Sequence, residues 1–254
     1  GLIDHIVIST HLTGEQICRV IEKKKFEGVL LGVNILNFQY RWQGVQAAFG
    51  AGLGVVAMNP LAGGIIPQHE KELSFLASGN ETPTEAAIRF CVSCPQITVA
   101  LVGFTTKEHI DTACQVAANC RPFTRTDIDR VKKHISKNMD SLCTGCGYCM
   151  NNLCPKGIPI ANYMQSYNER LLQHKSDKEM VKRVIFQHEW GYLADRRADA
   201  ADCIQCGECE QVCTQHLDII DRLGEMAEWE RRAKTRLKIR RIGRLVKRLR
   251  FWRL

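Results

Sequence analysis

Eight of the thirteen cysteines fall into two spaced runs. The first reads Cys143-Thr-Gly-Cys146-Gly-Tyr-Cys149-Met-Asn-Asn-Leu-Cys154, and the second Cys203-Ile-Gln-Cys206-Gly-Glu-Cys209-Glu-Gln-Val-Cys213. Three thiolates spaced by two residues can wrap one corner of an iron-sulfur cubane, while a fourth arrives from elsewhere in the chain. Structural zinc uses paired C-x2-C knuckles and four ligands in total, so each run carries a third cysteine that zinc does not need. The expected chemistry is therefore electron transfer through two 4Fe-4S clusters. Cys18, Cys91, Cys94, Cys114 and Cys120 share no spacing and read as ordinary free thiols.

The second run resembles the C-x2-C-x2-C-x3-C pattern of bacterial ferredoxins, and the first is longer by one residue in its last gap. In two-cluster ferredoxins the fourth ligand of each cluster comes from the opposite run. The resemblance implies one cluster on Cys143, Cys146, Cys149 and Cys213, and another on Cys203, Cys206, Cys209 and Cys154. It implies that Gly145, Gly147 and Gly207 let backbone amides approach the cluster sulfurs. One departure is Thr214, which stands where proline follows the fourth cysteine in that pattern.

Elements that hold such loops must be sought in the rest of the 254 residues, 45% of them hydrophobic. Four short apolar runs, His5 to Thr10, Gly28 to Asn34, Leu53 to Asn59 and Ile97 to Gly103, read as strands buried on both faces. Helical patterns lie between and after them: Gly14 to Lys25, Trp42 to Gly50, Thr84 to Val92 and Lys107 to Ala118. Alternating strands and helices imply a parallel sheet, and ligands bind at the carboxyl ends of such strands. A barrel and an open sheet both fit, although four units make only half of an eight-stranded barrel. A charged helix is expected over Thr126 to Asn138, and a mostly helical domain follows, with Tyr163, Tyr167, Leu171 and Leu172 on one helical stripe.

The stretch from Gly1 to Ala118 resembles the carboxyl-terminal half of an aldo/keto reductase. The residues that carry the likeness are His5-Ile-Val-Ile-Ser-Thr-His11, Gly52-Leu-Gly-Val-Val-Ala-Met-Asn-Pro-Leu-Ala-Gly-Gly64, Thr84-Glu-Ala-Ala-Ile-Arg-Phe90 and Leu101-Val-Gly-Phe-Thr-Thr-Lys-Glu-His109. A branch of that family carries a ferredoxin-like domain after its barrel. The fold class implied is α/β plus all-α: the C-terminal half of a TIM (β/α)8 barrel at residues 1–125, an α-helical two-cluster ferredoxin-like domain at 126–225, and a basic amphipathic tail at 226–254. The resemblance places NADP(H) at Ser9, Thr10, Asn34, Asn59, Gly103, Thr105, Thr106 and Lys107. It supplies no aromatic after the strand ending at Asn59 to stack on a nicotinamide. The family's catalytic residues come from the first four units, so none is assigned here, and neither His11 nor His109 is expected to act as one. Because position 1 is Gly rather than Met, an amino-terminal half is expected to precede this chain.

The formal charge of +8 is uneven: from Arg231 onward there are twelve Lys and Arg and no acid, so the remainder is net acidic. In the tail Ile239, Ile242, Val246, Leu249 and Trp252 form a helical stripe among basic residues, suited to an anionic membrane surface or an acidic partner. Nucleic acid is disfavoured, because the cysteine runs lack basic and aromatic interleaving. No apolar run approaches the roughly 20 residues needed to span a bilayer. So many thiols point to a reducing compartment, the cytoplasm.

Two functions follow as expectations. One is an iron-sulfur oxidoreductase of aldo/keto reductase type, with a redox partner protein or a small-molecule substrate. The other is a non-catalytic electron-transfer subunit whose half-barrel is a docking scaffold. No flavin motif is present to split hydride electron pairs for one-electron centres.

Overall fold

The computed structural model describes residues 2–135, 141–150 and 152–251, with the side chains of 240–251 excepted. Positions 136–138 of the expected charged helix and Trp252 of the tail lie outside the described residues. The chain divides into two compact units, Gly1–Thr144 and Gly145–Leu254.

The first unit is built from β1 (Val7–Thr10), α1 (Gly14–Ile21), β2 (Gly28–Gly32), α2 (Trp42–Gly50), β3 (Gly54–Met58), α3 (Ile65–Gln68), α4 (Pro83–Val92), β4 (Val99–Leu101), α5 (Lys107–Ala118) and α6 (Arg125–Ile135). Thr13 and Thr82 start α1 and α4 through capping boxes with Gln16 and Glu85, and Pro83 supplies a preset first turn. Helix α1 stops short of the expected Lys25, where Lys24 turns left-handed at φ 50°.

All four strands are parallel and pair in chain order, β1-β2-β3-β4. That order favours an arc of a singly wound barrel over a doubly wound sheet, whose order reverses at a switch point. The two faces differ. Val29, Leu31, Val55 and Ala57 are buried with Ile17, Val45, Ala48, Ala86 and Ala87 of the covering helices. In register on the other face, Val7, Val99 and Leu101 are exposed and Leu30, Val56 and Met58 half-buried. The strands are thus covered on one face, not on both as their continuous apolar runs suggest.

Helix α6 was expected to head the second domain, but Val131 and Ile135 are buried within the first unit. The boundary accordingly falls at 144/145 and not at 125/126. A buried ionic network holds α6 there. Arg89 grips Glu81 through two 2.8 Å bonds and reaches Asp127 at 3.5 Å, while Asp127 also pairs with Arg130 at 2.9 Å and accepts from the Thr124 amide at 3.0 Å. Burial alone would raise the Asp127 carboxyl, but these donors outweigh it and hold it at about 2.

The second unit is helical: α7 (Ile160–Leu172), α8 (Asp177–Trp190), α9 (Glu208–Gln211) and α10 (Ile219–Phe251). Tyr163, Met164, Tyr167, Met180, Val181, Val184, Leu223, Met226 and Trp229 form its core, with the Tyr167 and Trp229 rings stacked at 5.8 Å. Glu230, 2% exposed, is the polar centre of this core. It accepts from the Tyr163 hydroxyl at 2.6 Å and the Ala200 amide at 3.2 Å, and lies 2.7 Å from His188 Nε2. Burial, then the Glu230 carboxylate, drives the Tyr163 phenol far above its ordinary range, so it stays a donor. The basic tail is no separate element, because α10 runs from this core to Phe251 without a break.

Candidate cluster site and strand-end cavity

The second cysteine run leaves the short 3-10 turn Ala200–Asp202 and enters α9 through Gly207, whose φ of 81° is a backbone state that side chains disfavour. Cys209 then falls inside α9, 7% exposed, while Cys206 is exposed. Cys154 approaches from the first run, just before α7. Cys154, Cys203, Cys206 and Cys209 together line one recess in the second unit, whose remaining walls include Leu153, Ile158, Ile160, Ile204, Ile220 and Leu223. It measures about 340 Å³ with its open mouth included.

These four cysteines are the set implied by the crossed pairing, and their donor chemistry fits an iron-sulfur cluster. Among the described residues no three His, Cys, Asp or Glu side chains stand at metal-ligand spacing. Burial, followed by the Glu210 carboxylate and with Cys203 and Cys206 adding to it, pushes the Cys209 thiol up to about 11.

For the other implied set, Cys149 lies in the 3-10 turn Tyr148–Met150, and Cys143 is half-buried near the end of the first unit. Cys146 is met by the residue that follows Cys213: the Thr214 hydroxyl stands 3.6 Å from Cys146 Sγ. Cys213 Sγ accepts from the Leu217 amide at 3.5 Å. Gly145, at φ 67°, has Gln165 so close that an added Cβ would meet its amide at 2.7 Å. Of the remaining thiols, Cys91 is fully buried and pushed up to about 12, chiefly by burial, which leaves it inert.

The first unit carries a cavity at the carboxyl ends of β3 and β4, about 1750 Å³ with its open mouth included. Of the eight residues expected to hold a nucleotide, it gathers Asn59, Gly103 and Thr105. Ser9, Thr10, Asn34, Thr106 and Lys107 are not in its lining. Asn34 is 1% exposed and its side chain is spent within the fold, accepting from the Leu36 and Asn37 amides of its own loop and donating to the Asn59 carbonyl after β3. Thr10 accepts from the Leu12 amide, and Thr106 caps α5. The cavity also contains Phe104, an aromatic that follows β4 and not the strand ending near Asn59, together with His109, Glu70 and Glu85. It has no Lys or Arg in its lining.

Residues 142–219, which hold all eight spaced cysteines, match the family model described as a 4Fe-4S dicluster domain. No match is found among the curated proteins. Among solved structures, the chain is similar to an aldo-keto reductase from Bacillus halodurans in its holo form, at 18% identity and a TM-score of 0.44, over 52% of this chain and 50% of that one. The apo form of that enzyme gives 17% identity and a TM-score of 0.41, over 50% and 49%. The chain thus spans about half the length of the structures it matches. Among the described residues no helix is long and apolar enough to cross a membrane.

Proposed function

We propose that this chain belongs to an iron-sulfur oxidoreductase of aldo/keto reductase type, working in a reducing compartment and using NAD(P)H in the complete protein. The observation that carries the proposal is the recess that gathers Cys154, Cys203, Cys206 and Cys209 from two distant runs. One 4Fe-4S cluster would be held by those four thiolates and a second by Cys143, Cys146, Cys149 and Cys213. When bound, the clusters supply one-electron chemistry that no side chain here offers. The chain's own part is to hold the thiolates, to exclude water from Cys209 with the isoleucine and leucine wall, and to place an amide on Cys213. NADP(H) binding is supported by the place of Asn59, Gly103 and Thr105 at the strand ends and by the aromatic face of Phe104. The strand order and the single covered face support the reading of the first unit as the second half of a (β/α)8 barrel.

Iron and acid-labile sulfide content tests this, with anaerobic visible and EPR spectra before and after dithionite. About eight irons and eight sulfides with a reducible signal are expected; zinc without sulfide would overturn it. The second reading, an electron-transfer subunit without its own substrate, is favoured by the carboxylates of Glu70 and Glu85 in a cavity whose lining lacks a cation for a phosphate. Fluorescence titration with NADPH separates the two: saturable binding supports the first, and reducible clusters without NADPH binding support the second.

We also propose that the sequence after Lys238, with its seven basic residues and Ile239, binds an anionic lipid surface. Flotation with phosphatidylserine vesicles checks it. A chain ending at Lys238 should lose salt-sensitive binding, and equal binding by that shorter chain would remove the idea.

A further inference from the structure

Position 214 breaks the ferredoxin pattern by replacing a ring that has no proton to give with a hydroxyl that has one. Thr214 is 5% exposed and its neighbour Gln215 6% exposed, so this polar pair is built into the second unit. Gln215 Nε2 donates to Thr214 Oγ1 at 3.1 Å, and Thr214 Oγ1 stands 3.6 Å from Cys146 Sγ, within hydrogen-bond reach of the larger sulfur atom. The direction of this chain is fixed by its donors. An oxygen that accepts from an amide has its own proton left to give, and here it points at sulfur.

We propose that Thr214, held by Gln215, donates a hydrogen bond to the Cys146 thiolate and thereby raises the reduction potential of the cluster on Cys143, Cys146, Cys149 and Cys213. The proposal rests on the cluster reading above. Accepting one electron adds negative charge that is shared with the ligand sulfurs, and a donor aimed at one of them favours the more charged, reduced state. The Leu217 amide does the same at Cys213, but it belongs to the backbone and comes with any sequence. Thr214 is the donor that a side-chain choice adds, which makes it a positioning and tuning residue and not a ligand.

The test is an EPR-monitored redox titration of the whole chain under anaerobic conditions, with dithionite as reductant, comparing the parent with Thr214→Val and Thr214→Ser. In Thr214→Val one of the two midpoints should fall, lowering the reduced-to-oxidised ratio at a fixed potential about tenfold, or about 59 mV for one electron. The other midpoint should not move, and Thr214→Ser should titrate like the parent. Unchanged midpoints in Thr214→Val would overturn the proposal. So would a Thr214→Ser shift as large as that of Thr214→Val, which would make the role one of packing. If Thr214→Val loses iron, Gln215→Leu serves instead: it frees the hydroxyl to turn away and should lower the same midpoint by a smaller amount, and no shift there overturns the proposal. Iron and sulfide in the parent separate this failure from that of the cluster reading, since a parent without sulfide sinks both.

Discussion

The cysteine recess and the strand-end cavity are built on opposite plans. The recess draws its four thiols from short loops and one turn of helix, and closes them with apolar walls. The cavity is several times larger, with polar groups such as Asn59, Glu70 and His109 set in a mostly apolar wall, and is lined from the ends of β3 and β4 and the segments that follow them. Three of the recess cysteines are placed locally by their spacing in the second run, and the fold of the second unit has to bring Cys154 to them. Geometry in the cavity is inherited from a whole sheet, and no single spacing encodes it. The first plan should fail when a ligand or the frame is lost, and the second when the sheet's supports loosen.

The largest effect is expected at Cys209, the most buried cysteine in the recess. Cys209→Ser should leave about four of about eight irons, with the EPR signal of the remaining cluster intact; full iron content would show that the recess does not hold a cluster. Next comes the frame. Glu230→Ala leaves Tyr163, His188 and the Ala200 amide without their shared acceptor in a buried site. It should cost about 3–5 kcal/mol in denaturant unfolding of the second unit, the usual penalty for breaking a buried charged network, with a milder loss for Glu230→Gln. An unchanged midpoint would break the distinction between ligand and frame.

The smallest effect concerns the first unit. The Asp127 carboxyl sits at about 2 in the fold against an ordinary 3.8, so its stabilisation is complete above pH 4 and is lost as pH falls toward 2. About 2 kcal/mol should disappear across that window. Acid titration of the unfolding midpoint should show this slope, and Asp127→Asn should flatten it.

Much of the second region was readable from the sequence because ligand spacing is a local property. The recess contains the four cysteines that the crossed pairing names. The strands were also found, with at most two residues trimmed at either end, since an apolar run marks a strand more sharply than it marks the last ladder bond. Asn34 shows where such reading stops. A polar residue after a strand looks the same in sequence whether it faces a ligand or, as here, closes its own loop. The charge pattern of α6 likewise hid its buried Val131 and Ile135, and with them the unit it joins. Thr214 was visible as a departure, but its partner sulfur lies 68 residues away and only folding brings them together.

The unbroken course of α10 also fixes an azimuth. Successive residues turn by about 100° in an α-helix, so Ile239, thirteen residues beyond the buried Met226, is rotated by about 220° from the side that packs. Its 64% exposure agrees. Ile239 thus leaves the second unit turned away from the buried side of α10 that Met226 and Trp229 share.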